Sequence, residues 1–202
     1  MKNKGCMSAG TIGIALLVIA ALIFFWGTKG YNTFVAKDQN VITKWSNVET
    51  VYQKRANLIP NLQNTVKSYS KFEQETLTKV IEARSKATSI TIDPTNMTDA
   101  DMAKFQAAQG ELTGALSRLM AVVEQYPNLK ADQQYLNFQR EYTAIENSIR
   151  TETVYFNEAA QDYNTTIKQF PNNIIANFTN FKEKPQFKAD AGASKAPEVF
   201  TN

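Results

Sequence analysis

The stretch that decides the fold is Val41 to Tyr69, VITKWSNVETVYQKRANLIPNLQNTVKSY. Within it Val41, Trp45, Val48, Tyr52, Arg55, Ile59, Leu62, Val66 and Tyr69 alternate steps of four and three. That spacing keeps side chains on one face of an α-helix, and a run this long marks a helix packed on other helices. Val51, Leu58, Thr65 and Phe72 flank the same seam. Pro60 falls inside it and admits two readings. Because the seam phase continues past Pro60, one long kinked helix is compatible with the pattern. Yet Val35 to Thr88 as a single helix would be about 80 Å long, more than twice what Met102 to Tyr126 could cover. A turn at Asn57 to Pro60 gives helices of more equal length, with Asn57 in the left-handed terminating position and Pro60 opening the next helix. The expected architecture is therefore all-α, an up-and-down antiparallel four-helix bundle, with three helices and a long kinked first helix as the runner-up.

Downstream, the same periodicity recurs twice. One set is Met102, Phe105, Gln109, Leu112, Leu116, Leu119, Val123 and Tyr126. The other runs Tyr135, Phe138, Tyr142, Ile145, Ile149, Glu152, Phe156, Ala159, Tyr163, Ile167 and Phe170. The segment Ser89 to Thr98 (SITIDPTNMT) breaks the pattern. Thr98 is placed to cap the following helix, with Asp99 and Asp101 at its positive end. Pro127 and Pro171 close the two helices, because the residue before a proline avoids helical geometry.

Upstream, no charged residue occurs between Gly5 and Thr28, and Gly10 to Trp26 reads GTIGIALLVIAALIFFW. A membrane span needs roughly 20 mostly apolar residues, so this run suffices. Trp26 and Tyr31 stand where an interfacial aromatic belt belongs. No small-residue cleavage site follows Phe24, which favours an uncleaved anchor over a signal peptide. The organisation expected is a short tail over 1–9, a transmembrane helix over 10–28, a bundle over 31–181 and an extended tail over 182–202. Lys2 and Lys4 oppose Lys29, Lys37 and Lys44 across the span. The positive-inside count is nearly tied and leans to the amino terminus in the cytoplasm. Cys6 lies before the apolar run, so it is no lipobox cysteine, although acylation there is compatible with its position.

Composition excludes several functions. The chain has no histidine and one cysteine, so the commonest metal ligand, general base and thiolate nucleophile are missing beyond the anchor. Net charge is +3, two units of which precede the anchor, so no broad basic field awaits nucleic acid. No glycine-rich phosphate loop is present. An enzyme, a cofactor and a small-molecule substrate are not expected.

The motifs themselves resemble a known family. Trp45-Ser46-Asn47-Val48-Glu49, Tyr52-Gln53-Lys54-Arg55, Leu58-Ile59-Pro60-Asn61-Leu62 and Val66-Lys67-Ser68-Tyr69 are similar to the LemA family. So are Tyr163-Asn164, Phe170-Pro171-Asn172-Asn173 and Phe181-Lys182-Glu183-Lys184-Pro185-Gln186-Phe187. The resemblance implies a bacterial membrane protein with a four-helix bundle, and it supplies neither catalytic residues nor an activity. Asn57 stands where the resemblance leads one to expect aspartate, and Thr153 and Tyr155 where basic residues are frequent.

Three groups are candidates for a role. Arg55 and Glu152 interrupt apolar seams, either as a buried pair that fixes register or as side chains that snorkel outward. Ala103, Ala107, Gly110, Gly114, Ser117 and Ala121 form a small-residue stripe suited to close approach of another helix, from this chain or another. Ile90, Ile92, Ile174, Ile175, Phe178 and Phe181 collect at the bundle end nearest the anchor, facing either the membrane or the core. The polar cluster Asn57, Asn61, Gln63 and Asn64 would sit at the expected turn. The function these features fit is a noncatalytic scaffold or adaptor at the bacterial cell membrane, contacting the lipid bilayer and a protein partner or itself. The alternative is a self-assembling membrane-remodelling or envelope-organising protein.

Overall fold

The structure is a computed structural model that describes residues 9–69 and 73–188. Cys6 and Phe72 lie outside the described residues, as do Val199 and Phe200 of the tail expected over 182–202. All six helices and no strand are found among the described residues: α1 (Ala9–Lys67), α2 (Gln74–Ser89), α3 (Asp99–Val123), α4 (Pro127–Lys130), α5 (Gln133–Lys168) and α6 (Asn172–Thr179).

Helix α1 has 59 residues, which at the α-helical rise is about 88 Å. Its first part is long and apolar enough to cross a membrane, and none of that window is buried against the rest of the chain. No linker separates the apolar run from the bundle: the helix passes through 28–31 without a break. From Phe34 onward it enters the core, where Phe34, Val41, Trp45 and Val48 are fully buried.

The turn expected at Asn57 to Pro60 is not there. Pro60 lies inside α1, which continues to Lys67. Asn57 is helical and accepts a hydrogen bond from Gln53 Nε2 at 2.9 Å, one turn earlier. A proline removes the hydrogen bond to the carbonyl four residues back, here Ala56. Arg84 Nε of α2 donates to that carbonyl at 2.9 Å and replaces the missing donor. The bundle nevertheless has four long helices, because the chain turns after Lys67 and a separate α2 begins at Gln74. The runner-up, three helices with the first running to Thr88, is excluded by the same break.

Direction follows from contacts. Helix α5 runs antiparallel to α1, with Tyr69 bonded to Asp132 at the tip and Lys37 paired with Asp162 at the anchor end. Helices α2 and α3 pack on each other, and Lys86 bridges to Glu111 at 2.7 Å. Thr98 caps α3 by accepting from the Asp101 backbone N–H at 3.1 Å. Asp132 does the same for α5 through Gln134 and Tyr135. These caps satisfy donors that a helix start leaves without intrahelical partners.

Helix α2 has 16 residues and α5 has 36, so α2 covers less than half of the α1–α5 pair. The remaining face is closed by non-helical chain. Ile92 and Met97 of the α2–α3 loop pack into the cluster around Trp45. Residues 181–188 run as an extended strap along α5. Phe181 meets Tyr31 and Phe34 edge-on, with centroids 5.6 and 5.4 Å away. Phe187 stacks on Trp45 at 6.1 Å and meets Phe156 at 5.7 Å. Phe187 therefore pins the strap to the domain.

Candidate functional site

Two apolar clusters fill the bundle, one at the tip around Leu62, Leu116 and Tyr135, the other around Trp45 and Phe156. Arg55 sits between them at 2% exposure. Its Nη1 donates to Thr113 Oγ1 at 2.8 Å and Glu146 Oε1 at 2.9 Å. Its Nη2 donates to Gln109 Oε1 at 2.6 Å and to the Gln109 carbonyl at 3.3 Å. The guanidinium also lies over the Tyr52 ring, 5.0 Å from its centroid. Gln109 Nε2 in turn reaches the Ala87 carbonyl at 3.3 Å. One polar layer thus ties α1, α2, α3 and α5 together. Burial, with the nearby Glu146 charge, pushes the Tyr142 phenol up to about 12.

The expected partner of Arg55, Glu152, is not in this layer. It is half-buried and accepts from Asn47 Nδ2 at 3.2 Å. The antiparallel register places Phe156 against Trp45, so Glu152 falls level with Asn47. Arg55 lies eight residues farther along α1, about 12 Å away along the axis. Glu146 occupies that level instead. Arg55 is thus held by acceptors from both α3 and α5.

The small-residue stripe faces outward. Ala103, Ala107, Gly110, Gly114, Ser117 and Ala121 are all exposed. A Cβ added at Gly110 or Gly114 would meet nothing within 4 Å. Of the two alternatives for the stripe, a close contact within the bundle is not found at Gly110 or Gly114: Leu112, Leu116 and Leu119 turn to the core, and the stripe lies opposite them.

At the anchor end the apolar residues divide. Ile92 and Ile175 are buried, at 4% and 9% exposure, and face the core rather than the surroundings. Ile90 and Phe181 are half-buried against the Trp45 cluster. Ile174 and Phe178 are exposed, Phe178 at 88%. Helix α6 reaches α1 through Ile175, and a Cβ on Gly30 would stand 2.5 Å from Ile175 Cδ1. A side chain at position 30 would require the end of Ile175 to shift. Between the two helices lies a groove of ≈ 530 Å³, walled by Ile23, Trp26, Tyr31, Ile174 and Phe178.

A second depression of ≈ 580 Å³ lies where α1, α2 and α3 meet, walled by Glu49, Tyr52, Gln53, Asn57, Thr88 and Gln109 among others. Burial there holds the Glu49 carboxyl above its ordinary value, Trp45 partly opposing it. Asn57, Asn61, Gln63 and Asn64 lie along the helix surface and not at a turn. Among the described residues no group of three or more histidine, cysteine or acidic side chains could hold a metal ion.

Sequence reasoning missed the residues that hold the strap. Asn164 and Asn157, seven apart on α5, each clamp a strap residue through both its backbone groups. Asn164 Oδ1 accepts from the Lys184 N–H and Nδ2 donates to the Lys184 carbonyl, both at 2.8 Å. Asn157 does the same for Phe187, at 2.9 and 3.1 Å. Lys184, at 7% exposure, pairs with Asp38 at 2.8 Å and donates to the Pro94 and Thr95 carbonyls. The heptad spacing of Asn157 and Asn164 was visible, but nothing local says what a surface asparagine will clamp.

This is an all-α bundle carried on one continuous N-terminal helix that is long and apolar enough to cross a membrane. The chain belongs to the LemA family, which it matches over residues 44–200. It is 29% identical to Magnetosome protein MamQ 2 of Paramagnetospirillum magneticum, covering 86% of this chain and 72% of that protein. It is 28% identical to Protein LemA of Metamycoplasma hominis, over 81% of this chain and 71% of that one. With Magnetosome protein MamQ of Magnetospirillum gryphiswaldense it shares 26% identity over 96% of this chain and 80% of the relative. None of these names describes an enzymatic reaction.

Proposed function

We propose that the protein is a noncatalytic interaction module that displays its bundle at a fixed distance and rotation from a bilayer. The observation that supports this most directly is the continuity of α1. A helix unbroken from Ala9 to Lys67 makes the anchor and the bundle one rigid lever. An adaptor profits from that geometry, because whatever binds the bundle inherits its pose relative to the membrane. The outward stripe on α3 is exposed, with open space around Gly110 and Gly114 among the described residues, and has a shape suited to a partner helix.

Gentle solubilisation of the full chain, followed by affinity purification and mass determination, tests the reading. Discrete heterologous proteins in fixed ratio are the expected result. A homogeneous large oligomer of this chain alone would transfer the case to the alternative, self-assembly that shapes or organises the envelope. A monomer that enriches nothing would overturn both.

A further inference from the structure

We propose that α6 is embedded in the bilayer surface and that the groove between α1 and α6 holds lipid acyl chains. This rests on the reading that the apolar part of α1 crosses the membrane.

Four observations converge on lipid as the occupant. First, the groove is continuous with the span: Ile23 and Trp26 line its wall and belong to the exposed apolar run that begins at Gly10. Second, Ile174 and Phe178, four residues apart on α6, are exposed at 43% and 88% and form one apolar ridge. The opposite side of α6, Ile175 and Ala176, is buried on the bundle. Third, no residue of Asn172–Thr179 carries a charge. An uncharged helix with one apolar face outward is ill suited to bulk water but fits the headgroup–acyl boundary. Fourth, Lys29 on α1, three residues past Trp26, and Lys182, three past the end of α6, are exposed cations. Cations flanking an apolar surface are placed to meet lipid phosphates.

The contact at Gly30 marks the level at which α6 meets α1. Because Ile175 seats directly on Gly30, α6 is held against α1 at the level of Trp26 to Tyr31, the depth at which interfacial aromatics sit. The bundle therefore rests on two supports, the span and α6, and is held against tilting as well as at a fixed height.

The test uses the full chain with Cys6→Ser, carrying a single environment-sensitive fluorophore on Phe178→Cys. The protein is reconstituted in vesicles of phosphatidylcholine and phosphatidylglycerol. Leu17→Cys and Asn128→Cys, labelled alike, report the span and the bundle tip. The expected result is blue-shifted emission at position 178, quenched more by nitroxide lipids labelled near the headgroup than by those labelled deep in the chain. Position 17 should be quenched best by the deep label, and position 128 should emit as in water. Gly30→Leu should red-shift position 178 and leave position 128 and the helical content unchanged. Water-like emission at 178 with a buried signal at 17 would overturn the embedding of α6 while leaving the anchor intact. Water-like emission at both would overturn the anchor as well. A blue shift at 178 without lipid quenching would mean that protein, such as a second copy, covers the groove, and would also overturn the proposal.

Discussion

Arg84 Nε donates a hydrogen bond to the Ala56 carbonyl, 2.9 Å away, and that carbonyl is the one Pro60 leaves without a helical donor. The pair explains why α1 does not end at its proline. A buried carbonyl with no partner is costly, and here a side chain from the neighbouring helix supplies one. Arg84→Met should lower the stability of the solubilised protein by about 1–2 kcal/mol. In a Pro60→Ala background the backbone N–H returns and the same change should cost distinctly less. Chemical denaturation of the four variants checks this, and additive effects would remove Arg84 from the explanation.

The arginine layer predicts a specific partner. Arg55→Met leaves Gln109, Thr113 and the half-buried Glu146 without their donor, and loss of such charge-assisted hydrogen bonds should cost about 1–3 kcal/mol. In double-mutant cycles Arg55 should couple to Glu146. With Glu152, which bonds Asn47 instead, the effects should add to within about 0.5 kcal/mol. Strong coupling to Glu152 would contradict the register of α5 on α1.

Because a Cβ at Gly110 or Gly114 meets open space, replacing either glycine with alanine should stabilise α3, by up to about 1 kcal/mol each. Leucine at both positions should leave folding intact and reduce any association that uses this face. Thermal melts read the first effect and sedimentation in detergent the second. A loss of fold in the leucine variant would put the stripe back inside the bundle.

The strap should loosen before the bundle does. Asn164→Ala frees both backbone groups of Lys184, and Asn157→Ala frees both of Phe187. Hydrogen exchange over residues 181–188 should accelerate in each variant while α3 and α5 keep their protection near Leu116 and Tyr135. Unchanged exchange would mean that Phe187 packing alone holds the segment.

Alkaline pH should destabilise the bundle from about pH 10 upward. Burial pushes the Tyr142 and Tyr163 phenols up to about 12, against 10.0 for an ordinary tyrosine. Their folded pKa is raised, so the stability they contribute is whole below pH 10 and is lost between 10 and 12, as the unfolded chain ionises first. Unfolding midpoints across that range, compared with Tyr142→Phe and Tyr163→Phe, give the check. A flat profile in the unmodified protein would show that neither phenol matters.

The sequence by itself determined the all-α class, the apolar N-terminal helix, the Thr98 cap and the buried faces. Each of these is a local property. The phase of apolar residues along one helix selects its inner face, and a hydroxyl before a helix start caps it whatever lies beyond. Tertiary structure alone decided that α1 runs through Pro60, since the replacement donor to the Ala56 carbonyl comes from Arg84, 28 residues beyond Ala56. It also decided that Arg55 meets Glu146 and not Glu152, and that residues 181–188 close the face α2 is too short to cover. All of these depend on the axial register between helices, which is set by where the chain turns. Periodicity reports rotation about a helix axis and carries no information on how far one helix slides along another.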